Sequence, residues 1–422
     1  MRVVALAVVA ILAAAIFVVP EPGQQVPGPP APAAPAGYTV CPLVESARRT
    51  TVLDVLGGGA GEVDANVFAG GAIAADTTVQ LPEEGSAAVE VSELTGIALA
   101  PVLIGFDDPS RRVQTSLTGA GIGSASCAPA SPEPQLFLGG DSVEGTVYTL
   151  LLSNPFAGSA TVDLLAASEV GVETDPGLEG IVVPPRSIVP VELSSLLPGR
   201  QLMSVAVVTR SGRVVAGAKH ESGSDFSAVS GIQASSDWYL PFPQIEGAYG
   251  TLALYNPSGS EVPFQLDVYG PDEVFEAAHE DVIPARSQVV LAARDFLEGP
   301  GVLRVVATAP LGAVARFAGE AGEAVFPGVA TPGPSWLLPG AGRHGASQAY
   351  MFNAGVGEAT ARLVAPDGQE IATETVPSGA MVAVDLPAGS GASVEADSEI
   401  VVVWMTVGDG VLAADAGRQP HE

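Results

Sequence analysis

One motif returns along this chain at a spacing of about one hundred residues. Ser153-Asn154-Pro155 recurs as Tyr255-Asn256-Pro257 and, degraded, as Phe352-Asn353-Ala354. Downstream of each, Val183-Pro184-Pro185-Arg186-Ser187 recurs as Ile283-Pro284-Ala285-Arg286-Ser287 and as Val376-Pro377-Ser378-Gly379. An earlier copy is fainter. Pro82, Val89, Glu90, Ser92 and Leu94 match Pro184, Val191, Glu192, Ser194 and Leu196 at a constant offset of 102. A period of this size means an array of similar units, not one large catalytic domain.

The residues between the landmarks read as strands. Val189, Val191 and Leu193 alternate with Pro190 and Glu192, a period of two bounded by Gly and Pro. In the second unit the expected strands are 146–153, 161–166, 188–193, 202–209 and 213–219. The third unit repeats the plan at 251–255, 264–269, 288–292, 302–308 and 313–317. The fourth has 348–352, 360–365, 381–386, 392–396 and 400–406, with a turn at Ala365-Pro366-Asp367-Gly368. Proline removes a ladder donor and fixes φ, and asparagine starts a turn, so the landmarks read as strand punctuation. The 50 glycines and 36 prolines agree with many short strands joined by tight turns.

The expected organisation is therefore an N-terminal signal anchor (1–20), a Pro-rich spacer (21–37), and four β modules at 38–130, 135–235, 238–328 and 336–415. The run Val3–Val19 is apolar and uncharged, follows Arg2 and stops at Pro20. Its length is the lower edge of a membrane span. No clear small-x-small cleavage site follows, so an uncleaved single-pass anchor is expected, with secretion after cleavage as the alternative. Either route exports the bulk of the chain. In an oxidising compartment the two cysteines, Cys41 and Cys127, form a disulfide that clasps the first module. The links between modules are short, which favours rigid packing over beads on a string.

Charge narrows the partners. There are 47 acidic residues against 17 basic ones, a formal charge of −30, and Lys219 is the only lysine. Nucleic acid and acidic lipid surfaces both need clustered Lys and Arg, so neither is an expected partner. The membrane is reached through the N-terminal helix alone.

The order strand, Asn-Pro, strand, Pro-x-x-Ser, strand resembles the immunoglobulin-like sandwiches of bacterial envelope proteins over about 38–415. With the anchor and the Pro-rich spacer, the chain is similar to an uncharacterised actinobacterial family of membrane-anchored envelope proteins with tandem Ig-like repeats. Its members tend to be encoded near cell-envelope glycosyltransferases. The resemblance implies an all-β protein of tandem sandwich modules that serves as a non-enzymatic extracytoplasmic scaffold, with an envelope protein or cell-wall glycan as partner. It brings no catalytic residues.

A search for chemistry gives the same answer. The four histidines, His220, His279, His344 and His421, show no metal-ligand spacing, and no Cys-x-x-Cys exists. His220, in Lys219-His220-Glu221, reads as solvated surface. Gly340-Ala341-Gly342-Arg343-His344-Gly345 is formally a dinucleotide motif. It precedes a strand instead of a helix, so Gly345 is a repeat landmark. No metal, cofactor or catalytic residue is expected. Trp238, Tyr239 and Trp336 are the candidate glycan-stacking residues, because exposed rings stack on sugars. The competing reading makes them aromatic plugs at module junctions and places Trp404 in the core. A glycosidase built on some carboxylate pair is the remaining alternative.

Overall fold

The computed structural model describes residues 38–41, 50–57, 59–69, 72–83, 86–90, 102–106, 112–119, 121–128, 133–223, 225–271, 273–319, 322–343, 345–389, 391–408 and 411–419. The expected anchor and spacer lie outside them, as do His344 and His421. No helix among the described residues is long and apolar enough to cross a membrane.

The structure is all-β. The first set of strands is β1 (Tyr38–Cys41), β2 (Thr50–Leu56), β3 (Gly61–Ala69), β4 (Ala72–Leu81), β5 (Ser86–Glu90), β6 (Val102–Phe106), β7 (Arg112–Gly119) and β8 (Gly121–Ser126). The second is β9 (Gln135–Gly140), β10 (Thr146–Asn154), β11 (Ala160–Ser168), β12 (Gly171–Val172), β13 (Ile181–Val183), β14 (Ser187–Glu192), β15 (Met203–Ser211), β16 (Val215–Ser222) and β17 (Asp225–Ser230), with one helical turn at Leu193–Leu196. The third is β18 (Ser235–Phe242), β19 (Ala248–Asn256), β20 (Val262–Tyr269), β21 (Val274–Ile283), β22 (Ser287–Ala292), β23 (Gly301–Gly319) and β24 (Gly322–Pro327). The fourth is β25 (Gly333–Pro339), β26 (Ser347–Asn353), β27 (Ala359–Val364), β28 (Glu370–Val376), β29 (Met381–Leu386), β30 (Gly391–Gly408) and β31 (Val411–Ala416).

Each set builds the same pair of antiparallel sheets. One runs β1-β6-β3-β4, repeated as β9-β15-β11-β12 with β13 also on β11. The other runs β5-β2-β7-β8, repeated as β14-β10-β16-β17. In the third and fourth sets one long strand serves both sheets. Residues Val302–Ala307 of β23 pair with β18 and β20, and Gly312–Gly319 pair with β19 and β24. The strand β30 divides in the same way between β25 and β27 and between β26 and β31. The strands expected separately at 302–308 and 313–317 are thus one continuous element.

In modules one, three and four the second strand pairs with the fifth and the third with the sixth; in module two, where β12 and β13 share the fourth place, the same pairs are β10 with β14 and β11 with β15. These are the central B–E and C–F pairs of an immunoglobulin sandwich. Relative to the constant-type sandwich, the first and seventh strands have exchanged sheets, and the fourth pairs with the third instead of the fifth. Sequence reading missed the first, fourth and last strands of most modules. The fourth strands are short or polar: β21 (VFEAAHEDVI) is exposed along most of its length. It guards its open edge with Glu276, Glu280, Asp281 and a register shift, as exposed edges do.

Two repeated devices explain the landmarks. Asparagine ends the second strand of modules two to four, fully buried. Asn154 Nδ2 donates to the carbonyls of Gly158, Val183 and Pro184 at 2.9, 3.1 and 3.1 Å. Asn256 Nδ2 donates to Ser260, Ile283 and Pro284 at 2.7, 3.2 and 3.0 Å. Asn353 Nδ2 donates to Gly357 and Val376 at 2.8 and 2.9 Å. The two repeated motifs are therefore one device: the amide of the first ties down the backbone of the second. Asn256→Ala takes the amide donor from three carbonyls, the buried one of Ile283 and those of Ser260 and Pro284, and releases the Ser258 backbone N–H held at 2.9 Å. The expected loss is about 2–4 kcal/mol in chemical denaturation; a loss under ~1 kcal/mol would show the tie to be dispensable.

The proline motif also holds a left-handed residue. Arg186 and Arg286 both sit at φ 52°, and Gly379 takes the same place at φ 70°. Their amides reach back to the Asn turn: Arg186 N to Phe156 O, Arg286 N to Ser258 O, and Gly379 N to Asn353 O. A side chain in this region costs about 1 kcal/mol, which glycine avoids. Arg286→Gly should therefore leave stability unchanged or raise it by up to ~1 kcal/mol, while Gly379→Val should lower it. Thermal denaturation of the two variants measures the contrast.

The second device closes each sandwich. The second residue past the last strand bridges back to the first strand: Ala128 with Val40, Ile232 with Leu136, Val329 with Tyr239, and Arg418 with Leu337. One residue beyond each bridge, a bulky side chain covers a glycine. A Cβ on Gly231 would stand 2.9 Å from Phe137, on Gly328 3.1 Å from Leu240, and on Gly417 2.9 Å from Leu338. In module one this pair is Cys41 and Cys127, joined by the disulfide. The disulfide thus occupies a repeat position. It reinforces the module whose described core residues, among them Leu53, Val55, Val63 and Ile104, cluster separately. The other three modules share one continuous core.

The modules meet through their closing strands. The strand β8 packs on β17, β17 on β24, β24 on β31, and β31 returns to β8. The four form a closed circuit, and Ala33–Glu422 is one unit by its contacts.

Candidate functional site

The circuit gives each junction the same backbone and different chemistry. Between modules one and two, Val40 meets Val215 with Phe156 and Ala128 alongside. Between three and four the contact is aromatic: Phe352 lies 5.1 Å edge-on from Tyr269 and 5.9 Å from Tyr239. Between four and one, Arg343 pairs with the buried Asp54. There too, Arg418 Nε donates to Ser126 Oγ at 2.8 Å, and Ser126 Oγ donates to Asp415 at 2.9 Å.

The junction of modules two and three holds a charge cluster. Asp141 follows β9, His220 lies on β16, Arg316 on β23 and Glu323 on β24. His220 is only 3% exposed. Its Nε2 stands 3.2 Å from Asp141 Oδ1, and its Nδ1 stands 3.3 Å from Glu323 Oε2. The Nε2 contact is a charge contact without hydrogen-bond alignment. Arg316 Nη2 bridges the same two carboxylates, 2.9 Å from Asp141 and 3.1 Å from Glu323. Two cations and two anions make the cluster neutral when the imidazole is protonated. Tyr148 presents its ring edge to His220, with centroids 6.0 Å apart. Gly140 admits that ring, since a Cβ there would come within 2.4 Å of it.

Burial and pairing set the proton affinities. Burial would lower the His220 pKa, but Asp141 and Glu323 outweigh it and hold it up at about 9. Burial would raise both carboxyls; His220 and Arg316 reverse this and keep Asp141 and Glu323 below the usual carboxylate range. Burial, with the two carboxylates, pushes the Tyr148 phenol well above its ordinary value.

Asp141, His220 and Glu323 offer ligand atoms within 4.8 Å of one another, a spacing that suits a cation. Arg316 argues against that use. Its guanidinium already stands against both carboxylates, and a divalent ion held beside it by a neutral imidazole would set three positive charges against two negative ones. The two imidazole nitrogens also face different carboxylates, so one ion cannot replace both contacts. The arrangement is chemically an interlock.

The surface reading of His220 is therefore corrected. The face of β16 that carries His220 is turned to Asp141 and Glu323 and not to solvent, so the ring must find its partners there. Sequence offered little signal: the four residues come from four segments. The one cue is a charge inside an apolar run, as in Ala313-Val314-Ala315-Arg316-Phe317.

The candidate glycan platform is corrected too. Trp238, Tyr239 and Trp336 are 3%, 7% and 1% exposed, so none offers an open face. Trp238 Nε1 donates to Ser235 O at 3.1 Å and Leu311 O at 2.9 Å; Trp336 Nε1 donates to Gly333 O at 2.9 Å. Each indole serves its own module and covers the glycine of its closing turn, Gly328 or Gly417. Trp404 is in the core. The segment at Gly340–Gly345 leads into β26 and no helix follows it.

Residues 99–231 match the model of DUF5719, a family of unknown function. The match spans the end of module one and nearly all of module two, including Asp141 and His220 but not Arg316 or Glu323. No curated relative matches the sequence. A solved "Biofilm associated protein - BSP domain" aligns over 90% of this chain and 92% of its own, at 8% identity and a TM-score of 0.15. That score is too low for the likeness to bear on the fold.

Proposed function

We propose that this protein is a non-enzymatic scaffold of the cell envelope, held at the outer face of the membrane by residues Val3–Val19 and binding an envelope protein. The observation that carries the reading is the closed circuit of four sandwich modules. Among the described residues, the charges at two of its junctions are paired across modules: Asp141 and His220 with Arg316 and Glu323, and Arg343 with Asp54. A rigid body of this kind presents fixed surfaces at defined separations, which suits a scaffold. The apolar N-terminal run and the disulfide favour an extracytoplasmic location. The strong acidity favours a partner with a basic face.

The experiment is crosslinking in intact cells through cysteines placed on the exposed strand β21, followed by identification of the captured proteins. Envelope glycosyltransferases, implied by the family resemblance, are the first candidates. Recovery of one specific membrane partner supports the scaffold reading. Turnover of an envelope glycan by the purified extracytoplasmic region overturns it. With the three rings buried, tryptophan fluorescence should be insensitive to cell-wall polysaccharide.

A further inference from the structure

We propose that the His220 imidazolium is a proton-operated lock between modules two and three, closed while the ring carries its proton and released when the proton leaves. A neutral imidazole has one N–H and one lone pair. Here both nitrogens face carboxylate oxygens, at 3.2 and 3.3 Å. A neutral ring would turn a lone pair onto an anion in a buried site, whereas the imidazolium presents positive edges to both.

The charge balance points the same way. The groups facing His220 are Asp141 after β9, Tyr148 on β10, Arg316 on β23 and Glu323 on β24. Tyr249 on β19 acts on the cluster through Arg316. Lys219 and Glu221 flank His220 on β16 and point to the opposite face by strand alternation. With His220 charged, two cations balance two carboxylates. Deprotonation leaves one buried negative charge uncompensated, shared between Asp141 on one module and Glu323 on the other. An uncompensated charge in such a site is strongly unfavourable, and opening the junction to water relieves it.

The sign follows from linkage. The folded-state pKa of His220 lies above the value of about 6.5 for a free imidazole. The stabilisation is therefore full below about pH 6.5 and is lost as pH rises through the folded value, about 9. The carboxyls act oppositely: their pKa values are lowered, so their contribution holds above about pH 4 and fails as pH falls through the lowered values. The lock is thus closed across neutral pH and weakened at both extremes.

The test is an NMR titration of the histidine ring signals in the full extracytoplasmic region, with His220 assigned by its loss in His220→Gln. The expected midpoint is near 9, a proton affinity more than a hundredfold above that of a free imidazole, roughly two to three units on the pH scale. Glu323→Gln removes one facing anion and should lower the midpoint by at least about one unit. Urea denaturation at pH 7 and pH 10 gives the second reading. The wild type should lose stability between them and His220→Gln should not. If His220→Gln does not fold, the wild-type and Glu323→Gln titrations still decide. A wild-type midpoint within half a unit of 6.5, or no shift in Glu323→Gln, overturns the proposal.

Discussion

The double variant Cys41→Leu/Cys127→Gly should fold without its disulfide and withstand urea better than Cys41→Ala/Cys127→Ala. The disulfide closes a separation of 86 residues, and losing such a crosslink costs about 4–5 kcal/mol in the chain-entropy model. The alanine pair should pay that in full. The leucine–glycine pair recreates what modules two to four use at the same place: Phe137 over Gly231, Leu240 over Gly328 and Leu338 over Gly417. A buried leucine returns about 2 kcal/mol. Urea denaturation of the two variants beside the oxidised wild type separates the outcomes. Equal midpoints for the two variants would mean that the equivalence is only geometric. The likeness matters because it makes the disulfide a reinforced version of a general closure.

Arg316→Met should cost about 3–5 kcal/mol, the range for removing one partner from a buried ion pair. The arginine is the only fixed positive charge touching both Asp141 and Glu323 among the described residues. Without it, two buried carboxylates face a single imidazolium. The loss should be specific to the charge balance. Arg316→Met/Glu323→Gln, which leaves Asp141 paired with His220, should be more stable than the sum of the single losses by ~1–3 kcal/mol in a double-mutant cycle. Additive losses would show that Arg316 acts through packing alone. The replacement is unbranched and apolar, so it keeps the stem packed beside Gly139, where an added Cβ would stand 3.7 Å from Arg316 Cδ.

The repeat was legible because it is local. Asn154, Asn256 and Asn353 end strands, and the prolines near 184, 284 and 377 start the next ones. Backbone dihedrals and donor loss make such residues readable in isolation. That the asparagine amide bonds the proline segment was not readable, because the partners lie 23 to 30 residues apart. The central strands also announced themselves by alternation. The closing strands β17, β24 and β31 did not, since burial against two modules erases a polar face.

By itself, the sequence determined that this is an array of four like β modules, strongly acidic, with one cysteine pair. Those properties reside in composition, in period-two patterning and in residues that bias their own backbone. The tertiary structure decided how the modules close on one another and which side chains meet at each junction. It made one junction apolar, one aromatic and two ionic on a common backbone. It buried Trp238, Tyr239 and Trp336 and turned His220 from a surface residue into the centre of a charge cluster. The physical reason is that local patterning specifies which face of a strand is buried, but only packing specifies against what. The proton affinity of His220 depends on carboxylates 79 and 103 residues away along the chain, and no local rule carries that information.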